Sequence, residues 1–136
     1  MNCNSLKSYI NLIHVYYNFA KKIMSDLVKN FNDYRAAMNE KILAQDNLVL
    51  KRFFSLDGQT YADGALNSKT KELLGLVASM VLRCDDCIKY HLEKCKQLGT
   101  TTEEVFEVFA VANVVGGSIV IPHTRRAVEF WEALGE

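Results

Sequence analysis

The chain has 136 residues, 49% of them hydrophobic and 24% charged, which is the size of one domain and the composition of a globular protein, and excludes a disordered or fibrous chain. Sixteen basic residues balance 16 acidic ones, so the broad positive field of a nucleic-acid binder is missing. Four cysteines are too few for a disulfide scaffold, and two of them lie three positions apart, which points to chemistry.

Residues 1–23 carry Lys7, Lys21 and Lys22 with no acidic residue, leaving the remainder mildly acidic. The run Ser8 to Ala20 is apolar and aromatic in the manner of a signal peptide, but Asn11, His14 and Asn18 interrupt it and no small-x-small cleavage site follows. The longest uncharged stretch, Val108 to Thr124, is broken by Asn113, Gly116, Gly117, Pro122 and His123, whereas a membrane span needs about 20 mostly apolar residues. The expected location is therefore cytoplasmic, with neither membrane nor nucleic acid as partner. Residues 1–23 read in two ways. One is an upstream extension absent from the native protein, with Met24-Ser25-Asp26-Leu27 as the natural start and Ser25 or Asp26 as a helix cap; the other is an N-terminal helix packed on the core. Residues 24–136 read as a single domain, and Cys3 and His14 receive no role.

From Met24 onward the text is helix after helix. Val28, Phe31, Tyr34 or Arg35, Met38 and Ile42 recur at helical spacing to about Ala44, and Leu48 to Phe54 predicts a shorter second helix. Asp57-Gly58 and Asp63-Gly64 are turn signals. Ser68 is placed to cap a helix through Leu73, Leu76, Val77, Met80 and Val81. The next helix spans about Asp85 to Leu98 and stops at Gly99. Thr101 with Glu104 forms a capping box for a helix through Val105, Phe106, Val108, Phe109 and Ala112. Val111 to Ile121 fits either a β-hairpin about Gly116-Gly117 or two helices meeting where absent side chains let backbones approach. Helical text resumes from Arg125 to Leu134, where Phe130 and Trp131 read as core or oligomer contacts.

The chemistry concentrates in Glu72, Cys84, Cys87 and His91. On a helix Cys84 and Cys87 are i,i+3 neighbours and Cys87 and His91 are i,i+4 neighbours, so the three side chains share a face. A helix N-terminus favours thiolate over thiol, a histidine one turn away can take the proton, and a second cysteine can trap an oxidised first one as a disulfide. Glu72, in the apolar text Glu72-Leu73-Leu74-Gly75-Leu76-Val77, is either a solvated first-turn residue or a buried carboxylate that needs a partner such as His91.

The spacing Glu72-x11-Cys84-x2-Cys87-x3-His91, with Val111-Ala112-Asn113-Val114-Val115-Gly116-Gly117 and Pro122-His123 downstream, resembles the signature of the alkylhydroperoxidase D-like branch of the carboxymuconolactone decarboxylase family. The resemblance runs from about Asn32 to the C-terminus. It implies an all-α helical bundle assembled as a homo-oligomer, trimer or hexamer, which favours helices over the hairpin. It also implies thiol-dependent reduction of hydroperoxides or disulfide exchange, an antioxidant role. In that scheme Cys87 is the attacking thiolate, Cys84 the resolving cysteine, and Glu72 with His91 the proton relay. A dithiol donor, in the best-known members a lipoyl-bearing protein, restores the pair without cofactor or metal. Helix-dipole reasoning alone nominates Cys84 as the attacker; the local base favours Cys87. Asp85 and Asp86, where some members carry a histidine, oppose thiolate formation.

Three other readings compete. Cys84, Cys87, His91 and Cys95 approach a zinc-knuckle pattern, but on a continuous helix Cys87 and Cys95 stand about 12 Å apart along the axis, too far for one tetrahedral ion. Cys95 then reads as an ordinary buried thiol. A lyase acting on a small lactone acid follows from the family's name, although members acting on the lactone generally lack the cysteine pair. A non-enzymatic redox sensor or structural oligomer is the third. His123 with Arg125 and Arg126 reads as an anion site, a subunit contact or, as the plainest option, a solvated basic helix start.

Overall fold

The computed structural model describes residues 3–135, with the side chains of residues 3–9, 20 and 21 outside that description, so the readings that fall on Cys3, Lys7 and Lys21 lie there too. The described residues form six α-helices: α1 (Cys3–Leu43), α2 (Leu48–Thr60), α3 (Ser68–Val81), α4 (Asp85–Gln97), α5 (Thr102–Gly116) and α6 (Ile121–Ala133). A single 3-10 turn, Ser118–Val120, joins α5 to α6. Among the described residues there is no strand, so the Val111 to Ile121 segment resolves as helix, turn and helix. The two glycines explain the corner. Gly117 has φ +76°, open to glycine at little cost, and a Cβ on Gly116 would collide with Val120 while the Val81 backbone stands 3.6 Å away.

α3 packs against α4 and α5, and α6 against α1 and α4. Each contributes an i,i+4 pair to one apolar core: Leu76 and Met80, Ile88 and Leu92, Val105 and Phe109, Ala127 and Trp131. Phe31 of α1 closes that core edge-on against Phe130, with ring centroids 5.5 Å apart. No residue of α1 before Leu27 packs on the core among those described, and Ile10 through Phe19 stand exposed.

Several local expectations are corrected. α1 is continuous through Met24, so Ser25 and Asp26 cap nothing; Ser25 Oγ donates instead to the Lys22 carbonyl at 2.9 Å. α2 runs past Asp57-Gly58, because Gly58 sits in open space and costs a helix only about 1 kcal/mol. The α3 cap is Asn67, one residue before Ser68, accepting from the Thr70 N–H at 2.8 Å. The capping box of Thr101 and Glu104 forms as the sequence predicts.

The junction between α3 and α4 positions the cysteines. The Cys84 N–H reaches the Ser79 carbonyl at 3.0 Å and the Arg83 N–H the Met80 carbonyl at 3.1 Å, the paired bonds of a Schellman ending. Its left-handed residue is Arg83, with φ 60°, whereas the same ending after α4 uses Gly99. A Cβ-bearing residue in that region loses about 1–2 kcal/mol, partly offset because glycine gives up about 0.5–1 kcal/mol more entropy on folding. Arg83→Gly is therefore expected to raise stability by about 0.5–1 kcal/mol, read as a higher urea midpoint at unchanged slope. A lower midpoint would sink the strain argument.

Candidate active site

Cys84 is the N-cap of α4, and Cys87 lies in its first turn. The two are disulfide-bonded, with Cα atoms 5.3 Å apart. Cys84 Sγ accepts a hydrogen bond from the Cys87 N–H at 3.4 Å, so a sulfur occupies the place where a helix end holds an anion. The two sulfurs differ in access: Cys84 is half-buried and Cys87 exposed.

Behind Cys87, His91 is buried with only 7% of its surface accessible. Glu72, on the inward face of α3, is 4% accessible, and its Oε2 lies 2.7 Å from His91 Nδ1. The solvated alternative for Glu72 is therefore excluded: α3 crosses α4 so that the carboxylate meets the ring in the interior. An ionised carboxylate only accepts, so the Nδ1 proton points to Glu72 and the Nε2 lone pair is left free as a base. Gly75, one turn beyond Glu72, makes room. A Cβ there would stand 2.5 Å from His91 Cε1 and 2.7 Å from Tyr61 Oη.

Cys87 and His91 open on a cavity of about 260 Å³, walled by Phe53, Phe54 and Asp57 of α2, Tyr90 and Asp86 of α4, and Arg35 of α1. Arg35 stacks over the Tyr90 ring, its guanidinium carbon 4.0 Å from the centroid. Tyr61 and Tyr90 flank the His91 ring, with centroids 5.2 and 5.3 Å away. Burial, reinforced by the Glu72 charge, pushes both phenols above their ordinary range, so they stay protonated. A larger groove of about 480 Å³ between α5 and α6 is lined by Asn113, Ile121, Thr124, Arg125 and Val128, with no cysteine or histidine among them.

Sequence reasoning missed Arg35, Phe53, Phe54, Tyr61 and Gly75 as part of this site. Each belongs to an element other than α4, and only the bundle brings them to it; Gly75 alone carried a local signal, as a glycine inside a helix. Cys95 faces the core, fully buried, and burial pushes its thiol up to about 12. Among the described residues no three His, Cys, Asp or Glu side chains converge as a metal site requires, and no helix is long and apolar enough to cross a membrane. His123 corrects the plainest expectation made for it: rather than facing solvent with Arg125 and Arg126, it sits 15% exposed against Asp85, Nδ1 to Oδ1 2.7 Å.

Comparison with known proteins agrees with this architecture. The chain is similar to a crystallised carboxymuconolactone decarboxylase family protein of Thermotoga maritima, a candidate participant in antioxidative response, at 58% identity and TM-score 0.74 over 77% of this chain and 89% of that one. A family protein of Legionella pneumophila, in its apo form, aligns at 26% identity and TM-score 0.68 over 83% of this chain and 97% of that one. An uncharacterised protein of the cox locus of Paracoccus denitrificans is 30% identical over 76 residues, 56% of this chain and 68% of that protein. Residues 47–130 match the profile of the carboxymuconolactone decarboxylase family, a segment that holds all four of Glu72, Cys84, Cys87 and His91, and the chain belongs to that family.

Proposed function

We propose that the protein is a thiol-dependent peroxidase that reduces organic hydroperoxides in an antioxidant role. One observation carries this reading: the exposed cysteine of a bonded pair shares a cavity with a histidine whose far nitrogen is held by a buried carboxylate. The Cys87 thiolate attacks the outer peroxide oxygen, the O–O bond breaks, and the alkoxide leaves as alcohol with a proton delivered through His91. Cys87 is then a sulfenic acid, and Cys84 displaces its hydroxyl as water to close the disulfide. A dithiol supplies the two electrons that reopen it. The aromatic wall of Phe53, Phe54 and Tyr90 favours a peroxide with an apolar body over hydrogen peroxide.

The same reading includes a cytoplasmic homo-oligomer, trimer or hexamer. Its support is apolar surface left uncovered in one chain: α2 buries no residue and exposes Leu48, Val49, Phe53 and Leu56, and α5 and its turn expose Val111, Val114, Val115 and Ile119. Large apolar side chains left exposed in this number on two elements fit a surface that another copy covers.

The test is a stoichiometric one. Reduced protein given one equivalent of an alkyl hydroperoxide is expected to form the Cys84–Cys87 disulfide in nearly all chains while Cys95 remains an unmodified thiol, read by peptide mass mapping after alkylation. Absence of the disulfide, with turnover of a small lactone acid that survives loss of both cysteines, would move the assignment to the lyase activity of the family's name.

A further inference from the structure

The two carboxylates that follow Cys84 ought to work against a thiolate there. Asp86 is 73% exposed and only loosely paired with Lys89, at 3.8 Å, so water screens it. Asp85 is handled differently. His123 Nδ1 lies 2.7 Å from its Oδ1 and Arg126 Nε 2.9 Å from its Oδ2, each donating to the carboxylate; Arg126 Nη2 stands 3.0 Å from His123 Nδ1, a contact between two donors and not a third hydrogen bond. Both groups come from α6, which packs along α4. Burial would raise the Asp85 carboxyl, but the hydrogen bonds from His123 and Arg126 outweigh it and hold the group below the ordinary carboxylate range.

We propose that Asp85, His123 and Arg126 form a charge-compensating clamp that lets Cys84 leave as a thiolate when a dithiol reduces the Cys84–Cys87 disulfide. The donor thiolate reaches the exposed sulfur of Cys87 and forms a mixed disulfide with it. The Cys84–Cys87 bond breaks, and its electron pair stays on Cys84, where the Cys87 N–H and the start of α4 receive the charge. The donor's second thiolate then displaces Cys87, so two electrons pass to the protein and the donor ends as a disulfide. A leaving thiol departs faster as its pKa falls. An uncompensated carboxylate on the neighbouring residue would raise that pKa by repulsion; Arg126 cancels its field, and His123 and Arg126 together fix its direction. Neither side chain touches the sulfurs in this scheme, so both are positioning residues.

The inference rests on the thiol reading above, but its test needs no peroxide. The rate constant for reduction of the oxidised protein by dithiothreitol is to be measured for wild type, Arg126→Gln, Asp85→Asn and the double variant. Arg126→Gln is expected to slow reduction about three- to tenfold and Asp85→Asn to speed it, while the double variant, with both charges gone, returns to within about twofold of wild type. Arg126→Lys, which keeps the charge but not the guanidinium geometry, is expected to fall between Arg126→Gln and wild type. Brief reaction with glutathione is expected to trap the mixed disulfide on Cys87. Single variants that shift the rate in the same direction, as a purely structural clamp would produce, overturn the proposal, as does a mixed disulfide on Cys84. A protein that exchanges as expected yet consumes no peroxide keeps the clamp and loses the peroxidase reading.

Discussion

Cys87→Ser is expected to bring hydroperoxide consumption down to the uncatalysed background, a loss of roughly 10³-fold or more, while Cys84→Ser consumes one equivalent per chain and stops when no dithiol is present. The asymmetry follows from position. Cys87 is exposed on the cavity it shares with His91, whereas Cys84 is half-buried at the helix cap. Removing Cys87 removes the sulfur that meets the peroxide. Removing Cys84 leaves that first step intact and strands the product as a sulfenic acid, which a dione reagent labels. The measurement is peroxide consumed per chain, with peptide mapping of the labelled cysteine. Sulfenic acid found on Cys84 in the Cys87→Ser protein would reverse the roles and favour helix-end activation over the local base.

How much of this was legible beforehand depends on the range of each interaction. The cysteine pair and His91 sit on one helix, so their spacing alone placed them on one face, and the capping box of Thr101 and Glu104 is likewise local. Glu72 was ambiguous because its burial depends on the angle at which α3 crosses α4, which no pattern within α3 encodes. His123 and Arg126 looked like a solvated basic start to α6 for the same reason: their partner, Asp85, is 38 residues away from His123 in the chain. Helix boundaries failed where a turn residue was tolerated, as at Gly58, or where a neighbour capped instead, as at Asn67. The left-handed Arg83 had no local signal at all, since glycine is the residue type that marks such a place.

The buried pair of Glu72 and His91 gives the second large effect. Glu72→Gln keeps the shape of the side chain and one acceptor for the Nδ1 proton but removes the charge that supports an imidazolium, so kcat/KM is expected to fall about 10²-fold with the fold retained. Glu72→Ala is a harsher change, leaving a buried ring nitrogen without its partner at a cost of about 1–3 kcal/mol. Gly75→Ala separates geometry from charge, because it alters neither member of the pair. Helix propensity alone would make alanine the better residue by about 1 kcal/mol. Against that stands a Cβ 2.5 Å from His91 Cε1, deep inside any allowed contact. The ring must turn away from Glu72, or α3 must move off α4, so Gly75→Ala is expected to lose stability rather than gain it and to lower kcat/KM by about as much as Glu72→Gln. Placed in a His91→Ala background the same substitution no longer meets the ring, the far end of Tyr61 at 2.7 Å being able to shift, and the gain of about 1 kcal/mol from helix propensity should reappear in the urea midpoint. A Gly75→Ala protein that is both stable and fully active would show that the position of the His91 ring is not what the reaction depends on.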